Sequence, residues 1–452
     1  MKIIVLGLNH AGTVAARTLS RLNPEAEVVA YEKSDVISFL GCGIALGVKG
    51  EVKDPKGLFY ATPDMLAKEG INVYSSHEGV GIDAKAKTVK VKNLKTGEEF
   101  DDNYDKIIVA TGSGPIMPPI PGIDLENVQI CKNYYHAEKI KAANDNKDIK
   151  DVVIVGAGYI GVELVDAFNA AGKNVTLIDV ADRIMPNYFD KEATEIVEKR
   201  MKDAGVKIAL SQKVTEFKGE NGKLKSIVTD KGTYEADYCV FSVGIAAQSS
   251  MLKGVVDLNE RNVIITNDYM QTSNPDIYAI GDCAEIKSVI TGKNAQIALA
   301  TTAVRTGIIA AINAIKNNTL PQMGFTGANA ISVFDYHMAS AGYSAEACKR
   351  FGIDFEQVYF SDNDRPEFMS NYKNVNLRVI GEKSSRKICG VQIDSETNHT
   401  EIVHMFALAM QKGLTIDELP LVDMFFLPHF NKPYNYVTLA GLEALGLNYF
   451  KK

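Results

Sequence analysis

The sequence has no surplus of positive charge. Its 49 Lys and Arg face 56 Asp and Glu, a net charge of −7, which argues against binding to nucleic-acid phosphates. It also lacks a membrane-spanning run, because the most apolar long stretch, Ile297 to Ile315, contains Arg305 and several threonines. Residues 1–6, MKIIVL, start like a signal peptide, but Gly7 and His10 cut the run short and no small-residue cleavage site follows. That segment reads as a buried first strand. The six cysteines (42, 131, 239, 283, 348, 389) form no C-x-x-C pair and no regular framework. Such spacing fits reduced thiols in a cytoplasm, and five of the six read as small buried hydrophobes. No metal is expected.

What is there suits a soluble globular chain: 452 residues, 46% hydrophobic and 23% charged, enough for about three domains of roughly 150 residues each. Two segments repeat one design. Lys2-Ile-Ile-Val-Leu-Gly7 opens into Leu-Asn-His-Ala-Gly12 and a helical stretch, Thr13 to Arg21. Val152-Val-Ile-Val-Gly156 opens into Ala-Gly-Tyr-Ile-Gly161 and a helix through Ala171. Strands Glu27–Glu32 and Asn174–Asp179 follow, giving two β-α-β units. Lys87 to Phe100 alternates apolar and polar around a turn and predicts an antiparallel hairpin, and Val214 to Tyr234 holds the matching place in the second unit. Pro115, Pro118, Pro119 and Pro121 form a stiff crossover. Beyond about residue 321 the pattern changes to strand-like runs, Ala330 to Tyr336 and Leu377 to Ile380, then a helix, Glu401 to Lys412, stopped by Gly413. The fold class is α/β, with two Rossmann-like dinucleotide-binding domains plus a C-terminal α+β domain.

The second glycine motif carries the strongest single signal. Gly156 permits a tight turn, Gly158 lets the backbone approach a pyrophosphate, and Gly161 lets helix and strand pack closely. Asp179 ends the next strand, 18 residues past Gly161, where a carboxylate bonds a ribose 2′-hydroxyl and repels a 2′-phosphate. NADH is thereby favoured over NADPH, although Arg183 lies close enough in sequence to weaken that preference. The first motif departs from the pattern, with Asn9 where the second glycine is expected, and a non-glycine there should shift the backbone. Glu32 still follows Gly12 at 20 residues. Ala110-Thr111-Gly112, Val243-Gly244 and Gly281-Asp282 each place small residues at a strand's carboxyl end, where ligands sit in open α/β sheets. Asp282 is a candidate partner for a ribityl hydroxyl.

The order of these motifs, GxxxxG…E, ATG, GxGxxG…D, VG and YAIGDCA, resembles the flavoprotein disulfide reductase superfamily with two dinucleotide-binding domains, over nearly the whole chain. Ile37-Ser-Phe-Leu-Gly-Cys42-Gly-Ile-Ala resembles its single-cysteine branch of NADH oxidases, NADH peroxidases and coenzyme A-disulfide reductases, because no second cysteine follows at Gly47. His10 in Asn-His-Ala-Gly and the segment from Phe425 to Asn435 are similar to the water-forming NADH oxidases. Ile297 to Arg305 resembles the branch's flavin-facing helix start, with Ala298, Leu299 and Ala300 at the cofactor. Gly244-Ile-Ala-Ala-Gln lacks the Arg-Pro-Asn usual in the family.

The resemblance implies bound FAD, with NADH and O2 as substrates. It places FAD in residues 1–118 and 245–320, NADH in 119–244, and a subunit interface in 321–452. It implies a Cys42 thiolate that cycles through a sulfenic acid, activated by a nearby cation or helix N-terminus, with His10 as general acid or hydrogen-bond donor to the leaving oxygen. Tyr159 and Tyr188 join the nucleotide contacts, Tyr159 as a gate. Phe425, Phe426 and His429 are expected to line a partner subunit's pocket in a homodimer or homotetramer. The alternatives are an NADH peroxidase, a coenzyme A-disulfide or persulfide reductase, and a flavin-bearing NADH sensor with little turnover.

Overall fold

Runs such as Lys2–Leu6 and Asp151–Val155 are apolar at successive positions, and a strand of that kind is stable only when both of its faces are covered. In the computed structural model, which describes residues 1–447, each becomes the central strand of a five-stranded parallel sheet. The first sheet runs Ile277–Ala279, Lys106–Val109, Lys2–Leu6, Glu27–Glu32, Ile71–Ser75. Ile3 and Val5 face the helices His10–Leu22 and Ala300–Lys316. Ile4 and Leu6 face the antiparallel layer on the other side. The two helices cross closely at Gly307, where a Cβ would lie 2.5 Å from the Ala11 carbonyl oxygen. The first helix begins at His10, three residues before the expected Thr13, so His10 sits in its first turn.

The second sheet repeats this plan with Lys207–Ala209, Asn174–Ile178, Asp151–Val155, Tyr238–Phe241 and Val128–Ile130. Each sheet is backed by three antiparallel strands. The hairpin expected within Lys87–Phe100 is wider than the sequence indicated: His77–Asp83 joins Thr88–Asn93 and Glu99–Asn103. Its counterpart is Val214–Glu220, Lys223–Thr229 and Thr233–Glu235. The chain leaves the first unit along Ser113–Pro115 and returns along Ile245–Ala247, and these two segments pair antiparallel.

The last sheet is five-stranded and antiparallel, in the order Asn329–Val333, Tyr336–Gly342, Ile388–Ser395, Asn374–Glu382, Phe355–Asn363. The run Ala330 to Tyr336, expected as one strand, is split by a turn. Phe334 and Asp335 both take positive φ, 50° and 53°, the backbone of a tight hairpin. The expected helix from Glu401 starts as a 3-10 turn, Thr400–Ile402, and is α-helical over Val403–Lys412. Gly413, at φ 71°, caps it in the left-handed conformation. No helix among the described residues is long and apolar enough to cross a membrane.

This last unit is stitched to the loop that follows Asp179. The Asp190 carboxylate accepts the amides of Ala345 and Glu346, at 3.1 and 3.4 Å, capping the helix Ala345–Phe351 from outside. Gln392 donates to the same carboxylate at 2.6 Å and accepts from the Asp190 amide at 2.8 Å. Glu346 in turn grips both terminal nitrogens of Arg183, at 2.9 and 2.5 Å.

Candidate active site

The carboxyl ends of the two parallel sheets open on one cleft of about 1940 Å³. Its walls carry nearly all the site residues expected from sequence: Gly7, Asn9, His10, Glu32 and Cys42; Ala110, Thr111, Gly112, Asp282, Ala298, Leu299 and Ala300; and Gly156, Gly158, Tyr159, Asp179, Tyr188 and Gly244. Gly12 and Gly161 are set back from it. A Cβ on either would lie 1.8 Å from the carbonyl oxygen of Gly7 or Gly156, so both are packing glycines. Phe425, Phe426 and His429 are exposed and stand outside the cleft of their own chain.

The two turns are built alike. Gly7 (φ 99°) and Gly156 (φ 111°) take a backbone that side chains rarely adopt, and a Cβ on either would lie 2.4 Å from the carbonyl oxygen of Ala110 or Ser242. Asn9 does not shift the backbone as expected. Its φ/ψ of −95°/−151° is close to the −76°/−173° of Gly158, and both are extended conformations open to any residue. A Cβ on Gly158 would meet nothing within 4 Å. Protein packing therefore does not require glycine there, and the open space leaves room for a ligand to approach the backbone. The turns, the helix N-termini behind them and the strand-end acids fit one dinucleotide each.

Cys42 lies in the 3-10 turn Gly41–Gly43 and is exposed into the cleft, whereas the other five cysteines are buried. The expectation of a thiol activated by its surroundings is not met in the protein alone. Burial raises the Cys42 thiol above its usual range, Glu163 and Asp282 raise it further, and Lys132 alone among its side-chain neighbours pulls it down. His10 shares two of these neighbours. Burial, with Lys132, holds its imidazole below the usual value against the pull of Asp282. Its Nδ1 is 3.1 Å from the Tyr60 hydroxyl, and the two rings are nearly parallel, 5.5 Å apart at 6°. Burial pushes Tyr60 up to about 12, so it remains a phenol.

Several groups escaped the sequence reading. Lys132 donates to Ser113 Oγ at 2.9 Å, and Ser113 donates to the Asp282 carboxylate at 2.7 Å, a short polar chain that presents Asp282 to the cleft. Glu163, one helical turn past Tyr159, lines the cleft with its carboxyl pushed up to about 7 by burial, with a smaller contribution from Asp166. Its only sequence signal is being one of two acids, with Asp166, on an otherwise apolar helix. Tyr60, Ser113 and Lys132 had none, since each reaches the site through tertiary folding.

Tyr159 meets Tyr188 edge to face at 4.5 Å, and its hydroxyl donates to Asn329 Oδ1 on the first strand of the last sheet. Asp179 accepts the amides of Ala157 and Ala181. Arg183 is not free to counter it. Only 6% of its side chain is exposed; it pairs with Glu346 and, at 3.5 Å, with Asp182, and it donates to the carbonyls of Pro186 and Phe189.

Two nucleotide folds facing one thiol define a dinucleotide-dependent oxidoreductase. The chain belongs to the pyridine nucleotide-disulphide oxidoreductase family, whose model matches residues 1–307, and its dimerisation domain matches residues 329–435. It is 42% identical to an NADH oxidase of Streptococcus pyogenes, over 98% of this chain and 99% of that one. It is 30% identical to a coenzyme A-dependent NAD(P)H sulfur oxidoreductase of Pyrococcus furiosus, over 95% and 96%. Among solved structures, the water-forming NADH oxidase of Lactobacillus brevis bound to NADH superposes with a TM-score of 0.95 at 40% identity, covering 99% of this chain and 98% of that one. The fold, the family and the oxidoreductase class expected from sequence all stand.

Proposed function

We propose that the protein oxidises NADH and reduces O2 to water through a cycle centred on Cys42. Bound FAD, held by residues 1–118 and 245–320, supplies the transfer of reducing equivalents from NADH to oxygen. Residues 119–244 hold NADH, with the Gly156–Gly158 turn at its pyrophosphate and Asp179 at its ribose. The Cys42 sulfur attacks oxygen at the peroxide level, the O–O bond breaks, one water leaves and Cys42 is left as a sulfenic acid. His10 donates a hydrogen bond to the departing oxygen. A second NADH returns the sulfur to thiolate and releases the second water. Residues 321–452 bring two chains together, and Phe425, Phe426 and His429 reach the partner's cleft in a homodimer or a tetramer built from it.

The observation that carries this reading is a lone open thiol sharing one cleft with both glycine turns and His10. An oxygen electrode with catalase added or omitted tests it. The wild type is expected to consume two NADH per O2 and leave no peroxide. Cys42→Ser is expected to keep oxidising NADH while delivering hydrogen peroxide. A Cys42→Ser protein that still forms only water, or that no longer oxidises NADH, overturns the role of the sulfur.

A further inference from the structure

A neutral histidine carries its proton on one ring nitrogen, and the hydrogen bond made by the other decides which. Burial and Lys132 outweigh Asp282 at His10 and hold its ring below the usual value, so the ring is neutral at physiological pH. Its Nδ1 is 3.1 Å from the Tyr60 hydroxyl, and Tyr60 stands behind it, outside the cleft that His10 lines. Tyr60 is carried beside the chain leading to Cys42: Phe59 bridges antiparallel to Phe39, and the Tyr60 amide donates to the Ser38 carbonyl at 3.4 Å. Ser38 adopts a strained φ of 57°, and both it and Thr13 are buried. Their hydroxyls, 2.9 Å apart, also bond the Tyr60 oxygen and favour its ionised form, as donors do. The phenol's own proton is thereby directed to Nδ1. Acid strength points the same way. A phenol yields its proton at about pH 10, whereas a neutral imidazole N–H is a far weaker acid and the bare ring nitrogen the better acceptor.

We propose that Tyr60 is a positioning residue: by donating its hydroxyl to Nδ1 it keeps the His10 proton on Nε2, the nitrogen left for the cleft. His10 then has one fixed role. It can give a hydrogen bond to an oxygen leaving beside Cys42, and it offers no lone pair there with which to take a proton from the thiol. The consequence for oxygen rests on the oxidase reading above; the position of the proton does not.

The test is nitrogen NMR of FAD-loaded protein carrying isotope-labelled histidine, with His10→Gln to assign the resonance. The neutral His10 ring is expected to show its proton on Nε2 and a bare Nδ1. In Tyr60→Phe the neutral ring should populate both forms. Its midpoint of titration should rise by about half to one pH unit, because the lost bond favoured the neutral ring. Asp282 and Lys132 act on the ring, and Arg17 and Cys42 on the phenol; the substitution leaves all four in place. Were the ring instead donating to the phenol, the bond would favour the charged ring, and the midpoint would fall. A wild-type proton on Nδ1 overturns the proposal, as does an unchanged or lowered midpoint in Tyr60→Phe. So does a variant whose neutral ring keeps its proton wholly on Nε2, an outcome that general loosening, which also raises the midpoint, would give. Under air, Tyr60→Phe should release part of its oxygen as peroxide, and combining it with His10→Gln should add nothing to the leak of His10→Gln alone; an additive leak also overturns the proposal. If His10→Gln forms water as cleanly as the wild type while the NMR results hold, the oxygen role of His10 has failed and the assignment of Tyr60 stands.

Discussion

Glu32 and Asp179 stand in equivalent places in the two halves of the chain. Glu32 is the last residue of its strand and Asp179 the first after its strand, and each accepts an amide from the residue after the first turn glycine: Leu8 for Glu32, at 2.6 Å, and Ala157 for Asp179. Each also binds an amide two residues further on, Ser34 or Ala181. The acids thus hold the turns in shape before any ligand arrives, and Glu32 does so although burial raises its carboxyl above the usual range.

That symmetry separates two kinds of glycine. Gly156→Ala is expected to cost more than about 3 kcal/mol, since it combines a strained φ with a collision against the Ser242 carbonyl. Gly158→Ala meets no neighbour and should change stability by less than about 1 kcal/mol while weakening NADH roughly tenfold or more. Denaturant melts and NADH titration of both variants check this; a well-folded Gly158→Ala protein with unaltered NADH affinity would remove the pyrophosphate from that turn.

Asp179→Ala should weaken NADH and narrow the preference over NADPH by about tenfold, or about 1.4 kcal/mol, through loss of charge repulsion at a 2′-phosphate. Arg183 contributes no compensating pull, being held by Glu346. Steady-state kinetics with both nucleotides decide the matter: equal ratios in wild type and variant rule out Asp179 as the discriminating group.

The pH behaviour of the open thiol follows from its neighbours. In flavin-free protein, alkylation of Cys42 by iodoacetamide should have its midpoint above the ordinary thiol value of 9.0. The five other cysteines are buried and stay silent. Glu163 is ionised above about pH 7, and its negative charge opposes the thiolate, so Glu163→Gln should move the midpoint down. A wild-type midpoint at or below 9, or an upward shift in the variant, contradicts this electrostatic account.

Glu163 also ties stability to pH. Its folded-state value, raised to about 7 from the ordinary 4.5, means that between these values the unfolded chain releases a proton that the folded chain retains. Stability contributed by the protonated carboxyl is complete below the lower value and is lost as pH rises toward 7. The melting temperature of Glu163→Gln relative to wild type should therefore climb from pH 4.5 to 7 and level off above. A flat difference across that window would mean that the carboxyl titrates normally.

The features legible in the sequence obey local rules. Gly7 and Gly156 mark backbone that only glycine enters easily, the apolar runs mark doubly covered strands, and Cys42 stands out because no second cysteine follows it. The Asn9 expectation failed because the second fingerprint position takes an extended backbone open to any residue, with empty space beside it at Gly158. Phe334 and Asp335 hid a hairpin because neither is a typical turn pair, yet both adopt positive φ. His77–Asp83 carries no strand signal, because His77-Glu-Gly-Val-Gly-Ile-Asp83 has two glycines and little alternation. Ser113, Lys132 and Asn329 line the cleft, and Tyr60 meets His10, only after distant segments have folded together, and spacing carries no trace of that.

The stitching of Asp190 and Arg183 to the helix Ala345–Phe351 limits how this chain can be divided. A fragment ending after the second nucleotide fold would strip Arg183 of Glu346, leaving it only Asp182 at 3.5 Å, and Asp190 of the helix it caps and of Gln392, so that both would lie at a raw surface beside the nucleotide loop. The coenzyme-binding half is therefore not a detachable module, and transplanting it into another protein would require carrying that short helix and the strand that bears Gln392 with it.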